Sequence, residues 1–102
     1  MVEKVVVTGM GVVSALGLNL EENKRALLNA KSGIGPIRHL QTRHRELPVG
    51  EINRSTGEIL GRANPKEPKA WSRTSLLALM ALREAAISSN YSPDSSVRTG
   101  LI

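Results

Sequence analysis

An α/β fold, built from parallel strands with crossover helices and incomplete within this chain, is predicted by three features of the 102 residues. Near the start, Val5, Val6 and Val7 form a β-branched run suited to a strand buried on both faces of a parallel sheet. From Ser72 to about Ser89 runs a strong helix pattern whose centre, "LLALMAL" at Leu76 to Leu82, has no polar face for almost two turns. Such a stretch marks a helix covered on all sides. After Asn90 and the loop "SPDSS", the run "VRTGLI" begins a second apolar segment that ends with the chain at Ile102. Strand, helix, long loop, helix, strand is a βαβ order, and the right-handed rule places Val5–Val7 and Gly100–Ile102 side by side and parallel. Two strands alone leave both sheet edges open.

The opening "VVVTGMGVVSALG" invites comparison with a dinucleotide-binding turn, since Gly9 and Gly11 follow the strand directly. A G-x-G-x-x-G fingerprint needs a third glycine where Ser14 stands, and it needs a helix that opens at once to receive the pyrophosphate. Here Val12 to Gly17 continue as extended chain and a turn. The helix begins only at Asn19, a good N-cap with Glu22 three residues on, Glu21 placed to pair with Arg25, and Gly33 as the stop. No strand ending in an acid follows after about 20 residues, where the ribose needs its carboxylate. "AKSGIG" at Ala30–Gly35 is no P-loop either, because Arg25 and Ala30 stand where its two glycines belong. Ile34 to Leu40 reads as a loop.

The absence of cysteine excludes a disulfide framework, a thiolate metal site and a cysteine nucleophile within the chain. No signal-peptide core is present, and the longest apolar run, seven residues at Leu76–Leu82, is far too short to span a bilayer. A cytoplasmic location is the expectation. The net charge is +5, and from Arg38 to Arg73 eight basic residues face four acids. That surplus is either a solvated face or a surface for an acidic protein partner. Nucleic acid is disfavoured because single-strand binding uses aromatic platforms, and only Trp71 and Tyr91 are available. His39 and His44 lie in the arginine-rich loop with no carboxylate partner in view, which suits structural or solvated roles. Trp71 is a core or a rim residue, core packing being favoured by how often tryptophan is buried, and Ser72 is an N-cap.

Taken together, "KVVVTGMGVVSALG", the helix ending in "NAKSGIGPI", "GEI", "SRTSLLALMALREAA" and "RTGLI" resemble the N-terminal quarter or so of a β-ketoacyl-acyl-carrier-protein synthase. The resemblance spans nearly the whole chain. It implies a thiolase-like fold of two similar α/β halves, with residues 1–102 forming the N-terminal portion of the first half and no second domain present. It also implies a homodimeric acyltransferase that performs decarboxylative Claisen condensation in fatty-acid or related polyketide or aryl-polyene biosynthesis. The nucleophilic cysteine and two histidines of that family fall outside this sequence, so the chain alone is expected to be inactive. No cofactor is implied beyond the phosphopantetheine arm on which the acyl carrier protein brings substrate, and neither nucleic acid nor membrane is an expected partner.

On this resemblance Gly9 and Gly11 are close-packing residues of the first strand and, with Gly17, structural turn positions. The positions matching the family's carrier-docking basics are Lys66 and Lys69, with Arg62 nearby; the plain alternative is that these lysines are only solvated. Two positions depart from the family pattern. Trp71 and Ser72 replace a usual Met-Asp pair, and Leu40 and Gln41 replace a Phe-Asp. A stand-alone basic module binding an acidic protein or RNA is the competing reading.

Overall fold

The computed structural model describes residues 3–67, 70–92, 96 and 98–100. Its order is α1 (Leu20–Leu28), α2 (Thr56–Ala63) and α3 (Arg73–Ser88), joined by long irregular segments. Asn19 caps α1 by accepting from the Glu22 N–H at 2.8 Å. The Glu22 carboxylate reaches back to the Leu18 N–H at 2.6 Å, one residue before the cap. The expected Glu21–Arg25 pair forms at 3.8 Å, between two exposed side chains. Gly33 does not end this helix. The chain leaves at Asn29, with Ala30 in the left-handed region at φ 53°, and Gly33 packs further on against Ala15.

Where the sequence reading had one long loop, the structure has α2. Ser55 caps it through the Glu58 N–H at 3.1 Å, and Asn64 closes it in the left-handed region at φ 41°. The closure is stabilised by Arg83, whose guanidinium donates to the Ala63 and Asn64 carbonyls. A cation at a helix C-terminus meets the orphan carbonyls left there.

Helix α2 lies across α3, and the core sits between them: Ile59, Ala63 and Leu76 are buried, with Ile52, Leu60, Leu77, Leu79 and Met80 packed around them. Full burial of Ile59 and Leu76 contributes ~1.5–3 kcal/mol each. Ser72 caps α3 through the Ser75 N–H at 3.1 Å, as its side chain predicted. Arg73, at the first position of that helix, binds the carbonyls of Ile52 at 2.7 Å and Arg54 at 2.8 Å, clamping the segment before α2. The all-apolar stretch Leu76–Leu82, too large for so small a chain to cover, is buried only at Leu76, and Leu82 is 55% exposed.

The expected parallel strands are not formed among the described residues. Among the described residues there are only two isolated bridges, Ser14 with Gly17 and Gly35 with Val49, both antiparallel. Val5, Val6 and Val7 stand 97%, 70% and 79% exposed. A β-branched run has the propensity for a strand, but a strand exists only where a second backbone accepts its ladder bonds. Of the predicted partner Gly100–Ile102, Gly100 is in no strand, and Leu101 and Ile102 lie outside the described residues.

The result is an open plate of 54 × 37 × 20 Å with a radius of gyration of 16.5 Å. A compact chain of this length has about 13 Å. Its accessible surface is 8572 Å2. A compact monomer of this mass exposes roughly 5600 Å2, which leaves an excess of roughly 3000 Å2.

Candidate functional site

The two early glycines lie on α3. A Cβ on Gly11 would fall against the Ala81 carbonyl and 2.8 Å from the Ala85 nitrogen, and one on Gly9 would lie 2.5 Å from the Ala85 oxygen. Neither has a positive φ, so close approach is what excludes a side chain there. Gly17 is likewise pressed against Glu22 and the Asn23 nitrogen. These contacts seat the N-terminal arm on the helix. The Met10 N–H donates to Ser88 Oγ at 3.0 Å, and the Glu84 carboxylate accepts from the Val12 N–H at 3.1 Å and the Leu20 N–H at 2.7 Å. One carboxylate thus holds both the arm and the start of α1. Asn23, buried on α1, completes the joint: it meets Ser14 Oγ and donates to the carbonyls of Gly17 and Asn19. The N–H groups of Met10, Val12, Leu18 and Leu20, which a phosphate at this turn would need, are committed to the protein's own side chains.

The basic residues fall in two places. In the loop, Glu51 gathers the backbone N–H groups of Arg38, His39 and Leu40 at 2.6–3.1 Å. Burial pushes its carboxyl up, but the three backbone donors, with the charge of His39 adding, outweigh it and hold the group below its ordinary value. His39 touches the Asn53 side-chain oxygen at 3.3 Å, and His44 stands 3.6 Å from Glu46 in solvent. Neither faces a nucleophile. Among the described residues no three of His, Cys, Asp and Glu group to hold a metal ion, and no helix is long and apolar enough to cross a membrane.

The second basic region surrounds the junction of α2 and α3. Arg62 lies in the last turn of α2 and is exposed, and Lys66 is exposed just beyond it. Lys69 lies outside the described residues. Arg83 joins them from α3 through its bonds to the end of α2. Trp71 belongs to this rim and not to the core, at 37% exposed, with its indole N–H donated to the Glu67 carbonyl. A short segment between two helices cannot turn so large a ring inward while its N–H needs a partner.

Sequence reasoning missed Glu51, Arg73, Arg83 and Glu84, because each acts on backbone groups 11 to 72 residues away and leaves no local spacing to read. Helix α2 did leave a signal, the Ser55-x-x-Glu58 capping pattern before Ile59 and Leu60.

Residues 2–102 match the family described as beta-ketoacyl synthase, N-terminal domain, and the chain belongs to that family, whose fold is thiolase-like. No curated protein and no solved structure matches the chain.

Proposed function

We propose that the chain is the N-terminal part of a 3-oxoacyl-acyl-carrier-protein synthase. The observation that carries this is the family match across residues 2–102. In such an enzyme a cysteine thiolate attacks the acyl thioester and expels the carrier's phosphopantetheine thiol, with backbone N–H groups holding the oxyanion. Malonyl carrier then loses carbon dioxide, and the resulting enolate, stabilised by two histidines, attacks the acyl-cysteine and frees the thiolate. This chain has no cysteine, so it does not supply the nucleophile, and on the family resemblance the two histidines also fall outside it. Its part is to build the wall beside them and to meet the carrier.

Two features support that division of labour. Gly9, Gly11, Glu84 and Asn23 are all spent on holding the arm, α1 and α3 together. Arg62 and Lys66 present exposed positive charge to an acidic carrier protein, which long-range attraction would steer toward them, with Lys69 as the third docking residue. The parent is a cytoplasmic homodimer serving fatty-acid or related lipid and polyketide synthesis.

The test is direct. Incubated with acyl and malonyl carrier proteins, the chain forms no ketoacyl product, and product above the no-enzyme control overturns the assignment. A reading frame that continues past Ile102 to a cysteine and then two histidines supports it. A stop codon at that point favours the stand-alone basic module.

A further inference from the structure

Between the turn at Ser14–Leu18, helix α1 and the segment leading into α2 lies a hollow of about 310 Å3. Ala15, Leu16, Ala26 and Ile52 give it an apolar wall. Three cations from separate stretches of chain also line it: Arg25 in the last turn of α1, Lys31 just after that helix, and Arg54 before α2. The one carboxylate in the lining, Glu22, accepts from the Leu18 N–H at 2.6 Å. Lys31 is exposed and belongs to none of the ion pairs among the described residues. Arg25 and Arg54 each meet a glutamate four positions away, Glu21 at 3.8 Å and Glu58 at 3.7 Å, with all four side chains open to solvent. Pairs of that length and exposure contribute little, so they give way to a better acceptor.

The N–H groups of Ser14, Leu16, Gly17 and Leu18 are already bonded within the chain, so side chains are what the hollow presents to an anion. Two guanidiniums and an ammonium suit a group that offers each of them an oxygen. A phosphate monoester does so, with three acceptor oxygens and roughly two negative charges at neutral pH. A carboxylate has one oxygen and one charge fewer, and fills one guanidinium fork only. The volume is at the low end for small-molecule sites, which fits a compact ligand and not a dinucleotide. We infer that this hollow binds a small phosphate monoester. Arg25, Lys31 and Arg54 hold its phosphate, and its ester carbons pack on Leu16 and Ile52. The site shares no residue with the face at Arg62 and Lys66 and stands apart from carrier docking.

The experiment titrates the whole chain with n-butyl phosphate and follows backbone amide shifts by nuclear magnetic resonance, with inorganic phosphate and butyrate as comparison ligands. The expected result is saturable binding with shifts centred on Leu16, Lys31 and Asn53. Both comparison ligands should bind roughly tenfold or more weakly, phosphate for want of the carbon body and butyrate for want of the second charge. Among the described residues no hydrogen bond or ion pair uses the Lys31 side chain, so Lys31→Gln leaves the fold intact, as circular dichroism will verify. It should lower the affinity by roughly three- to tenfold, as should Arg54→Gln. Lys24→Gln, on α1 but outside the lining, is the control and should bind as the wild type does. Several results overturn the site: no saturable binding, shifts centred on the Arg62 and Lys66 face, or wild-type affinity in both Lys31→Gln and Arg54→Gln. Equal losses in Lys24→Gln and Lys31→Gln do so too, because they reduce the effect to general charge. Butyrate binding as tightly as n-butyl phosphate overturns the phosphate assignment.

Discussion

Replacing Gly11 with alanine adds one carbon where there is no room. The new Cβ would fall on the Ala81 carbonyl oxygen, 2.8 Å from the Ala85 nitrogen and 2.9 Å from the Ala81 carbonyl carbon. All three are backbone atoms of α3, which cannot swing aside as a flexible side chain would. Either α3 bends or the arm lifts. Overpacking of this kind costs ~1–3 kcal/mol. If the arm lifts, the charge-assisted bond from the Val12 N–H to Glu84 stretches or breaks, at a further cost of ~1.5–3 kcal/mol. The loss of unfolded-state freedom offsets ~0.4–1 kcal/mol of this. The net expectation is a destabilisation of ~2–5 kcal/mol. Gly61, in α2, is the matched control, because its Cβ would meet nothing within 4 Å. Gly61→Ala should gain ~0.5–1 kcal/mol through helix propensity. Urea denaturation of both variants, followed by far-UV circular dichroism, makes the comparison, and at a slope near ~1 kcal/mol per M Gly11→Ala should lower the midpoint by ~2 M or more. If the Gly11→Ala midpoint equals that of the wild type, or rises with Gly61→Ala, the arm is not packed on α3 as described.

Three other outcomes are expected. Because the folded state lowers the Glu51 carboxyl below its ordinary value of 4.5, its stabilisation of the 38–40 loop is complete above the unfolded glutamate value and is lost as pH falls through the lowered one. Amide exchange at Arg38, His39 and Leu40 should therefore accelerate on acidification, and Glu51→Gln should remove that pH dependence. Arg73→Ala loses two carbonyl bonds and should cost ~2 kcal/mol, while Arg73→Lys, with no planar fork, should recover only part of it in the same urea assay. The excess of roughly 3000 Å2 of surface exceeds a standard protein interface, so the chain alone should self-associate. Light scattering with hydrogen exchange decides this, and a monodisperse monomer with cooperative protection over Leu76–Leu82 would refute it.

The starts of α1 and α3 were legible because caps are local. Asn19 and Ser72 each accept from the N–H three residues on, a bond written in the identity of a single side chain. The stop of α1 was misplaced because Ala30, not a glycine, takes the left-handed conformation there. Val5–Val7 carried a strand's composition without a neighbour, and composition cannot supply the second half of a ladder. Of the basic face at the α2–α3 junction, Arg62 and Lys66 could be read as charge in a basic stretch. The placing of Arg83 beside Arg62 could not, since it depends on α2 ending where α3 passes. Trp71 was drawn toward the core by average burial and kept at the rim by the single turn that holds it.

The bond between Val12 and Glu84 joins residues 72 positions apart, and the one between Met10 and Ser88 joins residues 78 apart. On a ribosome adding roughly 5–20 residues per second, the arm is made roughly 4–14 s before the carboxylate that holds it. Throughout that interval the arm is untethered, and Gly9 and Gly11 have no helix to pack against. Synonymous codons that slow translation between Gly11 and Glu84 would lengthen the interval, and faster ones would shorten it. The yield of soluble protein should follow codon speed in that window more closely than it follows codon speed anywhere after Ser88.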